Sequence, residues 1–232
     1  MFSRNLIPLY MYLGHAIPRP ERLYDYIIAE QGIVKRVETP YVSADHLLVP
    51  IETSLTGLRL AEYPLPPLRF KLPRIPGQLL CDALADARQN INLEFIYHFR
   101  FDPANGCWSV TRPEQDQSRT RVGYTYDPAG IAVDLHSHNT MPAFFSPTDD
   151  RDELGGRFYA VMGHLERENP ELVLRLGLYG HWLYNIPAQA IFDDVGPFVE
   201  VYVETAELAC VEQSEPATIP GGWLTNLFTW RK

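Results

Sequence analysis

A cluster of prolines divides this chain of 232 residues into two parts. Ten of the 20 prolines fall within the first 76 residues, and five of those ten lie within residues 62–76. Proline fixes the backbone angle φ and has no N–H group to donate, so such a segment forms neither a helix nor a central strand. The segment is therefore an extended connector. We expect a domain boundary near residue 70, with a separate unit on each side.

The part before the connector, residues 1–70, predicts a small β-rich module. Short apolar runs separated by turn residues are typical of successive strands. These runs cover residues 32–37, 46–51 and 58–61. The first thirteen residues add an apolar stretch that Pro8 interrupts, and this stretch predicts a buried first strand. The sequence gives no indication of what this module does.

Beyond the connector, the hydrophobic pattern takes the period of a helix and then that of strands. Apolar residues recur at intervals of three and four, at Leu80, Ala83, Leu84 and Ala87. This spacing predicts an amphipathic helix that ends near Asn90. Residues 93–101 then alternate between apolar and polar, which predicts a strand that Glu94 opens. A turn over residues 102–106 leads to a second strand over 107–112.

Further strands complete a mixed β-sheet in the larger part of the chain. Residues 121–126 and 131–135 predict a hairpin that places His136 at the end of a strand. Strands are also expected over residues 157–163, 173–179 and 198–204. The fold class is thus α/β, with a mixed sheet flanked by helices over residues 71–210. Residues 211–232 form a C-terminal tail that contains Trp223 and Trp230.

The composition excludes several classes of function. A net charge of −9 and an isoelectric point near 5.2 argue against nucleic-acid binding, which depends on Lys and Arg to neutralise phosphates. The three cysteines are far apart and form no Cys-x-x-Cys pair, so neither a disulfide framework nor a zinc ribbon is expected. The sequence contains no run of eighteen apolar residues, so it predicts no transmembrane helix. These features predict a cytoplasmic protein without a membrane or nucleic-acid partner.

The stretch from His136 to Asp149 contains metal-ligand residues at fixed intervals. His136 and His138 flank Ser137, and side chains two residues apart on extended backbone point to the same side. Both imidazoles can therefore bind one ion, with Asp149 as the third ligand. Three protein ligands leave the fourth tetrahedral position of zinc open, which is typical of catalytic rather than structural sites. The spacing thus predicts a Zn²⁺ site that activates water.

Residues 146–149 also have the pattern of a helix N-terminus. Ser146 is a typical N-cap, Pro147 suits the first helical position, and Asp149 is an acid in the first turn. Taken alone, this pattern is structural in most proteins. Both interpretations are compatible here, because a helix beginning at this point would present Asp149 toward the end of the histidine strand. Asp150 is the rival ligand at the neighbouring position.

The arrangement His-Ser-His, seven residues, Ser, two residues and Asp resembles the JAMM zinc motif of the JAB/MPN metalloprotease family. Similarity extends to other segments, and it is strongest to the bacterial branch of PRTRC system protein A. These segments are residues 93–96, 108, 113–115, 134–138, 141–150 and 174–180. The resemblance covers roughly residues 76–192. It implies an α-β-α sandwich similar to cytidine deaminase, with His136, His138 and Asp149 as zinc ligands.

The resemblance also implies roles for residues around the ligands. Glu94 would be the general base, and Ser146 would donate a hydrogen bond to the oxyanion. The family often continues from this glutamate into a Gly-x-Leu-x-Gly-like run, whereas this chain has Phe-Ile-Tyr-His-Phe. Glu94 is alternatively a solvent-facing acid on its strand, and Ser146 only an N-cap. Apart from the resemblance, Asp134 and Ser137 are candidates to support the ligands. Asp134 either accepts a hydrogen bond from an imidazole N–H or is a solvent-facing strand residue, and Ser137 is most simply a spacer whose hydroxyl bonds to the backbone.

These expectations combine into a zinc-dependent isopeptidase or peptidase that hydrolyses an amide bond. The resemblance implies that the substrate is a ubiquitin-like protein or its C-terminal segment, and that an E1-like (ThiF-related) protein of the same bacterial system is a partner. Two alternatives stay open. One is a non-catalytic interaction subunit that uses zinc for stability, and the other is a nucleic-acid-associated protein similar to RadC, against which the acidic charge counts.

Overall fold

The computed structural model describes residues 7–21, 23–51, 59–117, 122–124 and 130–204. The chain divides into two compact units between Lys71 and Leu72. Its architecture is mixed α/β and rich in strands, with a mixed sheet in each unit. The predicted tail over residues 211–232 and Cys210 lie outside the described residues.

The first unit contains one five-stranded sheet, with its strands in chain order. The strands are β1 (Leu9–Met11), β2 (Tyr24–Ala29), β3 (Gly32–Glu38), β4 (Val42–Pro50) and β5 (Arg69–Phe70). β1 runs parallel to β2, and the other neighbours are antiparallel. The unit is β-rich, as its turn-separated apolar runs predict. Residues 59–61, expected to be part of a strand, are irregular, and residue 58 is not described.

The prediction of a buried first strand is wrong. β1 is short and lies at the edge of the sheet, where Leu9 and Met11 are exposed. The core of this unit instead lies on the inner strands, around Ile27, Ala29 and Val34. An apolar run does not by itself distinguish an edge strand from an inner one, because burial depends on what packs against the sheet.

The second unit contains a seven-stranded sheet and a separate two-stranded ribbon. Its elements are α1 (Gly77–Arg88), β6 (Ile96–Asp102), β7 (Cys107–Thr111), β8 (Gln115–Gln117), β9 (Val122–Tyr124), β10 (Ile131–Ser137), α2 (Pro147–Asp152), β11 (Phe158–Gly163), β12 (Glu171–Gly177), β13 (Trp182–Tyr184), a 3₁₀ turn (Ala188–Ala190) and β14 (Val199–Glu200). The order in the sheet is β13-β12-β11-β10-β6-β7, and β14 pairs with β12. β10 and β11 are parallel, and α2 lies in the connection between them.

The sequence predicted the helix α1 correctly, but it was less accurate for the strand β6 and for the pairing of β9. Leu80, Ala83, Leu84 and Ala87 are all buried on one face of α1. The strand β6 begins at Ile96 rather than at residue 93, and it is buried on both faces up to Phe99. β6 is an inner strand of the sheet, with β10 and β7 as its neighbours. The predicted hairpin of β9 and β10 is also wrong, since β9 pairs with β8.

The mixed sheet and its helices agree with the predicted fold class at this level. Within the described ranges the helices are α1, α2 and the 3₁₀ turn, so strands dominate. None of these helices is long and apolar enough to span a membrane. Cys81 and Cys107, the described cysteines, are free thiols.

Candidate metal centre

The two histidines of the motif lie where β10 ends. His136 is in the strand, and the N–H of His138 still donates to the Met162 carbonyl at 2.8 Å, so the extended pairing continues to this residue. Asn139 then takes a positive φ of 53°, which turns the chain away from the sheet. The two rings point to one side, and their Nε2 atoms are 3.2 Å apart.

The third candidate ligand, Asp149, lies in the first turn of α2. Ser146 is its N-cap, and its Oγ accepts hydrogen bonds from the N–H groups of Thr148 and Asp149, both at 3.3 Å. In return, Oδ2 of Asp149 accepts the N–H of Ser146 at 2.6 Å, which completes a capping box. Oδ1 of Asp149 lies 3.8 Å from Nε2 of His136. The ligand atoms of His136, His138 and Asp149 all lie within 4.8 Å of one another.

The geometry of the two imidazoles fits a divalent ion. Two nitrogens bound tetrahedrally to zinc at about 2.0–2.1 Å would be about 3.3–3.4 Å apart, close to the 3.2 Å observed. Nδ1 of His138 is 3.1 Å from the Pro142 carbonyl, which can only accept, so Nδ1 carries the hydrogen and Nε2 presents its lone pair. Burial lowers the pKa of His136 to about 4 and also lowers the pKa of His138. Both rings are thus neutral near pH 7, as metal ligands must be.

The donor set of two imidazoles and one carboxylate suits Zn²⁺ and other first-row divalent ions. The two Nε2 atoms can both present lone pairs at 3.2 Å when a cation lies between them, whereas without a cation one ring has to donate its N–H to the other. Phe144 and Phe145 pack against the rings of His138 and His136, with centroids 4.6 and 6.5 Å apart. The site therefore has an aromatic wall on one side, in which Phe144 is 45% exposed.

Glu94 lies beside this group, in the loop that precedes β6. Its neighbour Phe95 is joined to Ser137 by two hydrogen bonds of 2.9 Å, from Phe95 N–H to Ser137 Oγ and from Ser137 N–H to the Phe95 carbonyl. Glu94 is only 7% exposed, so the alternative of a solvent-facing acid is wrong. Burial, and then the charge of Asp149, raise the pKa of Glu94 to about 7.

Asp134 and Asp150 each lie close to a residue outside the ligand group. Asp134 is paired across the sheet with His98, and its carboxylate is 3.9 Å from that ring. Asp150 contacts the buried guanidinium of Arg175 at 2.5 Å. The carboxylate of Glu153 lies 3.9 Å from Nδ1 of His136.

Glu153 and Arg175 are the residues that the sequence analysis missed. Glu153 is four positions after Asp149, so the two side chains lie on the same face of the helix. This spacing could have indicated that Glu153 lies near the ligands. Arg175 is a charged residue between the apolar residues Leu174 and Leu176 of β12, and charged residues are almost never fully buried unless paired. Both features can be read from the local sequence, but neither predicts that Glu153 and Arg175 are in contact.

A groove of about 760 Å³ opens beside the ligand loop, between β12 and the chain that follows β14. Its apolar lining includes Phe144, Phe145, Val173, Tyr184, Val201 and Tyr202. Comparisons of this chain with protein-family models and with curated proteins found no match. The chemistry of the site therefore has to be inferred from its geometry and from the motif.

Proposed function

We propose that this chain is a zinc-dependent peptidase or isopeptidase of the JAMM type, and that its second unit has the JAB/MPN fold. One observation carries the proposal. The ligand atoms of His136, His138 and Asp149 lie within 4.8 Å of one another, and buried Glu94 is close enough for the charge of Asp149 to raise its pKa. Three ligands plus an adjacent base are what metal-assisted hydrolysis requires, whereas a structural site has four protein ligands.

The proposed reaction is the hydrolysis of an amide bond. When bound, zinc supplies a Lewis acid that lowers the pKa of water to about 7 and polarises a carbonyl. Glu94 accepts a proton from the attacking water as the oxygen–carbon bond forms, and returns it to the leaving nitrogen as the carbon–nitrogen bond breaks. Its pKa of about 7 suits both directions of transfer near neutral pH.

Ser146 is proposed to stabilise the oxyanion without giving up its role as N-cap. Its oxygen accepts two backbone N–H bonds, which occupy its lone pairs and leave its own hydrogen available to donate. One hydroxyl can therefore cap α2 and donate to a developing negative charge at the same time. Removal of one such donor typically lowers the rate by about 100- to 1000-fold.

The proposed substrate is the C-terminal segment of a ubiquitin-like protein, with an E1-like protein as a partner in the same system. This part of the proposal rests on the motif resemblance. The apolar groove beside the ligand loop provides room for an extended chain that leads to the metal. Backbone pairing with an exposed strand edge would hold such a segment, so small residues beside the scissile bond would be favoured.

The metal site is tested by elemental analysis of the purified protein. We expect about one zinc per chain in the wild type and none in a His136→Ala/His138→Ala double variant. A matched control replaces His164 and His181, which follow other strands of the same sheet, and it should retain the metal. Equal zinc content in the two double variants would remove the site assignment.

Hydrolysis is tested with a ubiquitin-like protein fused at its C-terminus to a reporter, and the products are identified by mass spectrometry. Release of the reporter by the zinc-loaded protein, but not by the ligand double variant, supports the proposal. Stable zinc binding with an intact fusion favours the non-catalytic interaction subunit. An intact fusion together with DNA binding at physiological salt favours the RadC-like alternative.

A further inference from the structure

The helix that presents Asp149 has little of its own to hold it in place. α2 has six residues, and none of them is buried. Isolated helices this short are not stable in water, and most helices are held by an apolar face packed on the core. α2 lacks such a face, so another interaction must fix the position of the third ligand.

Arg175 supplies this interaction from β12. It is fully buried, and its guanidinium donates two bonds to the Glu153 carboxylate at 2.9 and 2.7 Å and one to Asp150 at 2.5 Å. Asp150 directly follows the ligand Asp149, and Glu153 is the C-cap residue of the same helix. One planar cation thus holds both ends of the turn that carries the ligand.

Aromatic rings fix the guanidinium itself. Its central carbon lies 3.9 Å from the ring centre of Phe145, 4.9 Å from Trp182 and 5.6 Å from Tyr184. Phe145 also packs against the ring of His136 and directly precedes the N-cap Ser146. The cation is therefore held by groups that belong to the metal centre on one side and to the sheet on the other.

Glu153 connects this pair to a second ligand. Its Oε2 accepts the hydrogen bonds from Arg175, and its Oε1 lies 3.9 Å from Nδ1 of His136. Nε2, the other nitrogen of that ring, faces His138 and Asp149. A carboxylate behind Nδ1 favours the tautomer with the hydrogen on Nδ1, which leaves the Nε2 lone pair for a metal.

We propose that Arg175 and Glu153 form a positioning pair for the metal centre, and this inference rests on the proposed metal site. The pair acts on two of the three ligands. Arg175 docks the helix that carries Asp149, and Glu153 orients His136. Neither residue touches the metal or the substrate. The alternative is an ion pair that only stabilises the fold, and the two cases differ in what happens to metal affinity.

The test measures zinc affinity of the full chain by competition with a chelator of known affinity. Glu153→Gln replaces the carboxyl group beside Nδ1 of His136 by an amide of the same size and leaves Arg175 paired with Asp150. Arg175→Lys keeps the charge and loses the planar fork. We expect each variant to bind zinc about 10- to 100-fold more weakly, which is the usual effect of losing such support. The matched control Arg151→Met, an exposed arginine of the same helix, should bind as the wild type does.

A double variant separates positioning from folding. Glu153→Leu/Arg175→Met replaces both charges by apolar groups of similar volume, an exchange that often leaves stability unchanged. We expect this variant to keep the wild-type unfolding midpoint without metal and still to lose zinc affinity at least tenfold. Nitrogen NMR of its His136 should show a smaller population of the tautomer with hydrogen on Nδ1.

Wild-type zinc affinity in the folded double variant, or in Glu153→Gln, would overturn the inference. The measurement needs no substrate, so it is independent of whether the chain is a peptidase. Zinc binding by the wild type without hydrolysis would remove the catalytic proposal and leave the positioning pair intact. Weakened binding in the variants with full hydrolysis at saturating zinc would support both.

Discussion

Replacing Ser137 by alanine tests how Glu94 is held beside the metal ligands. Ser137 is fully buried, and its Oγ is the recorded acceptor for the N–H of Phe95, which is itself 4% exposed. The substitution removes one of the two bonds between these residues and leaves the bond from Ser137 N–H to the Phe95 carbonyl. The loop that carries Glu94 then stays attached at one point instead of two.

The expected loss of stability follows from the burial of this amide. An N–H group that is left in the interior without a partner costs about 1–3 kcal/mol. This corresponds to an unfolding equilibrium constant that rises by about 5- to 150-fold. Zinc affinity should change little, because the hydroxyl contacts neither imidazole. Hydrolysis should fall by more than the loss of stability explains, because the proposed role of Glu94 as base requires its carboxylate to lie within reach of the water proton.

Urea unfolding of the metal-free protein measures the first effect, and zinc titration and reporter release measure the other two. The control is Ser109→Ala, an exposed serine on β7, which should stay within about 0.5 kcal/mol of the wild type. If Ser137→Ala and Ser109→Ala unfold at the same urea concentration and hydrolyse at the same rate, the hydrogen bond does not position the base.

Three further substitutions have defined outcomes. Glu94→Gln should keep zinc and stability but lose hydrolysis, because an amide does not accept the water proton; unchanged turnover would remove its role as base. Gly163→Ala would place a Cβ 2.2 Å from the backbone nitrogen of Ala143, so we expect a loss of about 1–3 kcal/mol in urea unfolding and weaker zinc binding as the ligand loop shifts. Lys35 of the first unit is buried, and burial lowers its pKa from 10.5 to about 8. Between pH 8 and 10.5 the unfolded chain holds a proton that the folded chain has released, so the stability of the wild type should rise with pH relative to Lys35→Met. Parallel stability curves for these two proteins across that range would contradict the assignment.

The sequence could predict what is local. The helix α1 follows from apolar residues at intervals of three and four, and the start of α2 follows from a Ser-Pro-x-Asp pattern that the capping box realises. The positions of His136, His138 and Asp149 are local as well, because these residues are separated only by the loop between β10 and the start of α2. Their spacing therefore contained most of the information about their geometry.

What the sequence could not predict depends on residues far apart in the chain. β6 has the alternating pattern of a half-exposed strand, but both of its faces are buried up to Phe99. β9 looked like the partner of β10, but β10 pairs with β6 and β11 instead. Arg175 lies in β12 and binds Glu153 at the end of α2, and no sequence pattern links these two residues. Such pairings are set by the competition of all strands for neighbours.

The three ligand positions all lie in or beside the connection from β10 through α2 to β11, and this has a consequence for how the chain reaches its native state. Parallel neighbours form late in folding because a long segment must be ordered before they can pair. An ion that holds positions 136 and 149 together closes most of this segment into a short ring, and a short ring costs little entropy to close. We therefore expect refolding to be faster with zinc than without it. The metal would then serve as a template on which β11, and after it β12 with Arg175, add to the sheet.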